Sequence, residues 1–307
     1  MFGKLVVRYN NVTFETEEFI MMPLAEQDWR RDAADAASSG SASALTAVLG
    51  PVLGTLPDKQ ARAVKHQALQ VIEAALPDPK RLVRLASGLA QSGDETAQEL
   101  AVFLLSGHYT AAPDETAERL RILAESPHAT VRRWTGEACG TLLVKQFQAF
   151  YPQLAAWSAS PMPHEVTAVA HAVRIAAKTR NPAWSRPLLD LIELLMSGTP
   201  VSAGKPISPL TLGEGLLASY PEETAARLDV WIASAKEAVR IHATNMYAST
   251  AAAEHWDLLA PAFAKLEQDV SPAVRRAVVR ARKQLLKRLP PDRSAPSVQV
   301  RSQTDSE

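Results

Sequence analysis

Helical segments with similar ends recur along the chain at intervals of about 36 residues. Five such segments end at Pro127, Pro161, Gly198, Ala235 and Val270, so the successive spacings are 34, 37, 37 and 35 residues. Each interval has room for two helices and short breaks rich in Pro, Gly, Ser or Asp. A single helix pair cannot bury its apolar face alone, so pairs repeated at this spacing are expected to stack. The spacing therefore predicts an all-α fold, an α-solenoid of HEAT-like helical pairs.

Two positions of the repeat are always apolar and are expected to lie in the core. Each keeps its residue type from one repeat to the next, as a stacked array requires. The first column holds Leu123, Trp157, Leu194, Trp231 and Leu266, and the second holds Val131, Val166, Val239 and Val274.

The repeat region is predicted to span residues 41–289, with about six or seven repeats, and to be flanked by segments of different composition. Residues 1–40 begin with an alternating stretch that favours a hairpin around Asn10–Asn11 or, alternatively, a disordered segment before a true start at Met21 or Met22. The stretch AASSGSAS at 36–43 indicates a flexible linker. Residues 290–307 are polar and Pro-rich, and are predicted to be disordered.

Composition excludes several classes of protein. A single cysteine, Cys139, rules out an internal disulfide framework and suits a reducing compartment. No run of about 20 apolar residues is present, so we expect no membrane-spanning helix. We expect a cytoplasmic monomer without a cofactor.

The charge is balanced overall but unevenly distributed. The chain has 33 Lys+Arg and 33 Asp+Glu, yet residues 270–293 contain eight basic residues and only one acidic residue, Asp292. Such a block is a weak nucleic-acid footprint, because phosphate binding needs only a charged face. A solvated terminal helix would explain it equally well.

The phrase HATVRRWTGEACGTLL, from His128 to Leu143, is the second helix of its repeat and has two interpretations. In the structural one, a stripe containing Val131 and Trp134 packs in the core while Arg133 forms an ion pair with Glu137 at i,i+4. In the functional one, second helices line a concave groove, and their arginines bind a duplex backbone or an acidic protein. The arginines concerned are Arg132, Arg133, Arg174, Arg240, Arg275 and Arg276.

The residues from Asp58 to Leu289 resemble the HEAT-like-repeat proteins of the DNA alkylation repair family. The resemblance lies in ETAQELAVFLLSGHY, in a helix ending LAESP followed by VRRWTGEACG, and in the layout of residues 204–231. It implies binding of alkylated double-stranded DNA and, in some members, excision of alkylated purines by a glycosylase. One branch carries a VRR-x-x-x-E phrase, which implies that Glu137 is the catalytic carboxylate, with Trp134 or Trp157 as the aromatic partner of the base.

Other features of the resemblance favour a protein without catalysis. The second branch's W-D-x-V-D and W-x-R-R phrases are absent, and Trp256-Asp257 matches only two letters of the first. Glu214 is the next candidate carboxylate. The alternative hypothesis is therefore a non-catalytic scaffold that binds a protein partner in the same groove.

Three further motifs are not expected to form sites. His164 and His171 are two helical turns apart, too far for the one-turn spacing of a zinc motif, so no metal is predicted. Residues 198–206 imitate a phosphate-binding loop but lack its spacing and its final Ser/Thr. Cys139 is expected to be a small packed residue.

Overall fold

The computed structural model describes residues 5–9, 12–16, 25–198 and 210–289, which belong to two compact units. Unit 1 comprises residues 1–179 and 190–199, and unit 2 comprises residues 180–189 and 200–307. Outside one pair of strands, the regular structure of the described residues is helical. No described helix has both the length and the apolar character needed to cross a membrane.

Unit 1 contains the strand pair and two layers of helices. The strands β1 (Leu5–Tyr9) and β2 (Val12–Thr16) are antiparallel, with Val7 opposite Phe14; the Asn10–Asn11 turn predicted between them lies outside the described residues. The helices are α1 Ala25–Ser39, α2 Ala42–Gly54, α3 Asp58–Ala75, α4 Pro79–Ala90, α5 Glu95–Gly107, α6 Pro113–Ala124, α7 Ala129–Lys145, α8 Phe147–Ser158 and α9 Pro163–Ala177. Each of α1, α3, α5, α7 and α9 contacts the next in that series, and α2, α4, α6 and α8 do the same in a second layer.

Unit 2 repeats this arrangement with shorter elements. A helix α10 (Ser185–Gly198) begins in unit 2 and ends in unit 1, and a π-helical segment covers Leu210–Leu217. The remaining helices are α11 Pro221–Ile232, α12 Glu237–Asn245, α13 Thr250–Glu254, α14 Trp256–Glu267 and α15 Pro272–Leu285. α11 packs against α12 to form one helix pair, and α14 packs against α15 to form another. The two pairs are in contact through α11 with α14 and through α12 with α15.

Some of the helices begin at a side chain that caps them. Asp94 accepts a hydrogen bond from the Ala97 N–H at the start of α5, and Ser271 accepts from two N–H groups at the start of α15. These side chains satisfy donors that a helix N-terminus otherwise leaves without partners.

The flexible linker predicted over residues 36–43 is wrong. Residues 36–39 are the last turn of α1, and Ser41 caps α2 after a single glycine, Gly40, which has a φ of 72°. Trp29, Ala33 and Ala37 are buried, since α1 packs against both α2 and α3. The small residues here allow the helices to pack closely. Composition alone does not distinguish a segment of small residues that packs in this way from a flexible linker.

The two apolar columns are core positions, with one exception. All four valines of the second column are buried, as are Leu123, Trp157, Trp231 and Leu266 of the first. The prediction fails at Leu194, whose exposure is 48 %, because in α10 the neighbouring Leu195 turns inward instead. The helix is shifted by one residue relative to the alignment of segment ends.

Hydrogen bonds between carboxylates and side chains one repeat away join successive helix pairs. Bonds of this kind connect residues 34 to 36 positions apart in the described part of the chain: Lys65–Glu99, Glu73–His108, Glu137–His171, Asp229–Lys265 and Glu237–Ser271. Both units contain them, so the interval seen in the sequence is also the interval of side-chain contact.

Candidate functional site

The candidate site lies on the exposed face of α5, α7 and α9 in unit 1. Two glycines of α7 determine how closely α9 approaches. A Cβ at Gly140 would lie 2.5 Å from Ile175 Cδ1 and 2.8 Å from its Cβ, and a Cβ at Gly136 would lie 3.4 Å from the His171 side chain. The missing side chains therefore bring His171 against the surface of α7.

An aromatic pair forms one side of the site. The rings of Phe103 and Trp134 have centroids 5.2 Å apart and are inclined at 57° to each other. The guanidinium of Arg133 lies over the Trp134 ring, 5.1 Å from its centroid. Phe103 and Trp134 are both half-buried, while Arg133 is exposed. A flat cation therefore already occupies the exposed aromatic surface.

A carboxylate and two basic side chains form the other side of the site. Glu137 Oε1 lies 2.9 Å from His171 Nε2, and Arg174 Nη2 lies 3.5 Å from the His171 ring nitrogens. The hydrogen bond from His171 lowers the pKa of Glu137, and the charges of Arg174 and Lys178 act in the same direction against the opposing effect of burial. The lowered pKa keeps Glu137 ionised at neutral pH, and 41 % of its side-chain surface is exposed.

Three of the predicted DNA-binding arginines have structural contacts that repeat from one helix pair to the next. Nη1 of Arg132 donates to the carbonyls of Ser126 and Pro127, 2.6 and 2.8 Å away. Nη1 of Arg240 and Nη1 of Arg275 bind the carbonyls five and six residues before them in the same way. In each case the guanidinium satisfies carbonyls just after the end of the preceding helix, groups that a helix leaves without partners.

The other predicted arginines are divided between the units. Arg133 and Arg174 join Trp134 and Glu137 at the candidate site in unit 1, whereas Arg276 lies in unit 2, as Arg240 and Arg275 do. Arg276 is exposed on α15 and pairs with no side chain among the described residues. The structure thus assembles four of the eight predicted site residues into one cluster.

Several expectations about this region are wrong. Glu137 pairs with His171 rather than with Arg133. Trp157 is 3 % exposed and packs edge-on against Phe150, so a base cannot reach it. Glu214 accepts a hydrogen bond from the Thr250 N–H in unit 2, at the start of α13.

Two residues of the cluster were not identified as site residues in the sequence, Phe103 and His171. His171 enters the sequence-based predictions only as a poor metal ligand beside His164. It follows Glu137 by 34 residues, close to one repeat, and this spacing is a signal for the contact. Phe103 lacks such a signal, because it precedes Trp134 by only about 31 residues, less than the spacing of the repeat.

The buried thiol and the metal motifs add no chemistry to the site. Cys139 is fully buried, and burial raises the pKa of its thiol far above the ordinary value, so it is a packed residue, as expected. Within the part of the chain that the structure describes, no group of three or more His, Cys, Asp or Glu side chains could hold a metal ion.

Removing the imidazole of His171 is expected to raise the pKa of Glu137. Because the hydrogen bond from His171 is the largest cause of the lowered value, His171→Ala should raise the pKa of Glu137 toward that of an ordinary glutamate. Carboxyl-carbon NMR titration would measure the shift. His108→Ala, which removes an equivalent histidine from Glu73 in the same unit, is the control and should leave Glu137 unchanged. An unchanged Glu137 in His171→Ala would contradict the contact.

Comparison with protein-family models and with curated proteins finds no match for this chain.

Proposed function

We propose that the chain is a DNA-binding protein of HEAT-like helical repeats, of the alkylation-repair type, which excises alkylated purines at the face of α5, α7 and α9. Within this proposal each unit is a stretch of α-solenoid. The carboxylate contacts at 34 to 36 residues and the recurring arginine–carbonyl contacts favour that architecture.

The observation that carries the proposal is an ionised, accessible carboxylate beside an aromatic pair. Glu137 lies one turn from Trp134 on α7, and Trp134 already binds the cationic guanidinium of Arg133 on its ring. An alkylated purine is likewise a flat cation, so it could take the place of Arg133 on that ring. An alkylated base is also a good leaving group, which makes a strong general acid unnecessary.

The lowered pKa of Glu137 suits this chemistry. Loss of the base leaves an oxocarbenium-like sugar, and a negative charge fixed beside it stabilises that developing positive charge. His171 keeps Glu137 ionised and holds one of its oxygens, Oε1, while Oε2 has no hydrogen-bond partner among the described residues. We assign Oε2 to the sugar or to the attacking water.

Base release from methylated duplex DNA tests the proposal. Wild-type protein is expected to release methylated purine, and Glu137→Gln should lower the rate at least tenfold, which corresponds to about 1.4 kcal/mol of transition-state stabilisation. Release would be measured chromatographically under single-turnover conditions. The matched control is Glu73→Gln, since Glu73 also binds a histidine one repeat away in unit 1.

The outcomes separate the carboxylate from the activity. Release by wild type that survives in Glu137→Gln would move the carboxylate elsewhere. No release by wild type, with duplex binding retained, would reject the glycosylase and leave a DNA-binding module.

A second candidate function is that of a non-catalytic scaffold for an acidic protein segment. The internal contacts of Arg132, Arg240 and Arg275 leave few free cations, a number that suits a short acidic segment better than the continuous phosphate backbone of a duplex. This scaffold would bind a glutamate-rich peptide at low salt and show no duplex affinity under the same conditions. The reverse pattern would reject it.

A further inference from the structure

The last described helix, α15, carries a stripe of unpaired positive charge. Seven basic residues lie between 275 and 288, and three of them are held by the protein. Arg275 binds the carbonyls of Asp269 and Val270, Arg282 pairs with Glu267 at 2.9 Å, and Arg288 binds the Gln284 carbonyl. The other four are exposed and pair with no side chain among the described residues: Arg276, Arg280, Lys283 and Lys287.

These four residues, the α15 stripe, share one face. At 3.6 residues per turn their positions fall within a sector of about 60°, spread over about 16 Å of helix axis. The hydrogen bond from Leu289 N to Leu285 O continues the helical path past the end of α15, which keeps Lys287 in line. The buried residues of α15, among them Val274, Val278 and Leu285, lie on the opposite face. The stripe therefore points away from the core of unit 2.

Within the described part of the chain, the stripe pairs with no acidic side chain. No Asp or Glu occurs between residues 270 and 289. The carboxylates of neighbouring elements have other partners: Glu267 binds Arg282, Asp269 binds Arg240, and Glu237 accepts from Ser271. Like charges at i,i+3 and i,i+4 repel one another, which disfavours the helix. A helix face that is merely exposed to solvent commonly carries both acidic and basic side chains.

We propose that the α15 stripe binds the phosphate backbone of a nucleic acid, independently of base sequence and of alkylation. A duplex presents one negative charge per about 1.7 Å of axis, so about 16 Å of duplex carries roughly ten phosphates, more than the stripe needs on the side that it faces. Lysine and arginine contacts of this kind position a protein without reading bases. The inference shares with the proposed function only the premise that the ligand is a nucleic acid, and it requires no catalysis.

Charge alone would also suit an anionic membrane, but the apolar surface of α15 does not. Membrane-surface helices insert a large apolar face. In α15 that face is buried in unit 2, which leaves Val279 and Leu286 as its exposed large apolar residues, at 68 % and 46 %. Two aliphatic side chains beside four cations favour a hydrophilic polyanion.

The test uses the full-length chain and an unmodified duplex, with anisotropy measured between about 50 and 200 mM salt. Changing Arg276, Arg280, Lys283 and Lys287 together to glutamine should reduce the slope of log K against log salt by about 3 to 4. It should also weaken binding at low salt at least tenfold. Thermal stability should be kept or raised, because repulsion along the stripe is relieved. The matched control changes four exposed basic residues elsewhere, Arg62, Lys80, Arg84 and Arg186, and should keep most of the slope.

Every outcome decides the inference. Equal losses of duplex affinity in the stripe variant and the control variant would show an effect of net charge alone and would overturn the inference. Wild-type protein that does not bind the duplex at low salt would also overturn it. Stripe-dependent binding to phosphatidylserine vesicles that matches duplex binding would assign a membrane instead. Stripe-dependent duplex binding without base release would reject the proposed function and keep this inference. Base release by a protein whose salt dependence does not change in the stripe variant would keep the proposed function and reject this inference.

Discussion

Replacing Arg240 with alanine is expected to lower the free energy of unfolding by about 3 to 5 kcal/mol, as for other buried ion pairs that lose one partner. Arg240 binds Asp269 through two nitrogens, at 2.7 and 3.2 Å, and also donates to the carbonyls of Ser234 and Ala235. The two charged side chains are only 12 % and 8 % exposed. Without Arg240, Asp269 would remain a buried carboxylate with reduced compensation. Urea denaturation followed by circular dichroism would measure the loss.

The equivalent arginines provide a graded comparison. Arg132 makes the same carbonyl contacts without an acidic partner, so Arg132→Ala should cost about 1 to 2 kcal/mol. Arg275 is more exposed than Arg132, and Arg275→Ala should cost less still. Equal losses for all three arginines would show that the Asp269 pair adds nothing to the carbonyl contacts.

The difference in stability between wild type and Arg240→Ala should depend on pH, with a definite sign. Burial opposes ionisation of Asp269, but the hydrogen bonds from Arg240 and the Ser271 N–H, with the charges of Arg240 and Arg275, hold its pKa below the ordinary value. A carboxyl with a lowered folded-state pKa contributes stability that is fully present above its unfolded pKa, about 3.9, and is lost as pH falls through the folded value. The difference in stability between wild type and Arg240→Ala should therefore stay constant down to about pH 4 and shrink below it, toward the part that the carbonyl contacts of Arg240 contribute. A difference that stays unchanged well below about pH 4 would contradict the charge pairing.

The repeating core could be predicted from the sequence because it depends on spacing alone. Val131, Val166, Val239 and Val274 are buried wherever the interval placed them. Apolar periodicity indicates which side of a helix faces the core. The same position is then expected to be buried in each helix pair of a stacked array. The same argument failed at Leu194, since a one-residue shift within α10 moves a side chain by about 100° around the helix axis.

The roles of the arginines could not be predicted in this way. Arg132, Arg240 and Arg275 occupy matching positions of the repeat, which the sequence shows, but matching positions fit a ligand-binding stripe and a repeated internal contact equally well. Their guanidinium groups turn back to the preceding helix end, where carbonyls lack partners. Only the positions of these carbonyls in the structure distinguish a ligand-binding stripe from a repeated internal contact. The Glu137–His171 contact spans 34 residues, an interval that marks neighbouring helix pairs, but the interval alone does not show which side chains separated by it meet.

Gly140→Ala is expected to lower the free energy of unfolding by about 2 kcal/mol, the net of overpacking and a helix-propensity gain of about 1 kcal/mol. The new Cβ would meet three atoms of Ile175 at 2.5 to 3.1 Å, including its Cβ, which cannot move without displacing α9. Gly136→Ala is the matched control on the same helix. Its Cβ would stay 3.4 Å from His171, so the propensity gain should make this variant neutral or slightly more stable.

A second substitution tests whether Ile175 causes the loss. In Ile175→Ala the clashing Cδ1 and Cγ1 are absent, so adding Gly140→Ala should cost at least 1 kcal/mol less than in wild type, a coupling expected of side chains in direct contact. Equal costs in the two backgrounds would place the strain elsewhere in α7. Because α9 carries His171 and Arg174, Gly140→Ala should also raise the pKa of Glu137, whereas Gly136→Ala should leave it closer to the wild-type value. The close approach of two helices at one glycine would then determine both the stability of unit 1 and the charge of its candidate carboxylate.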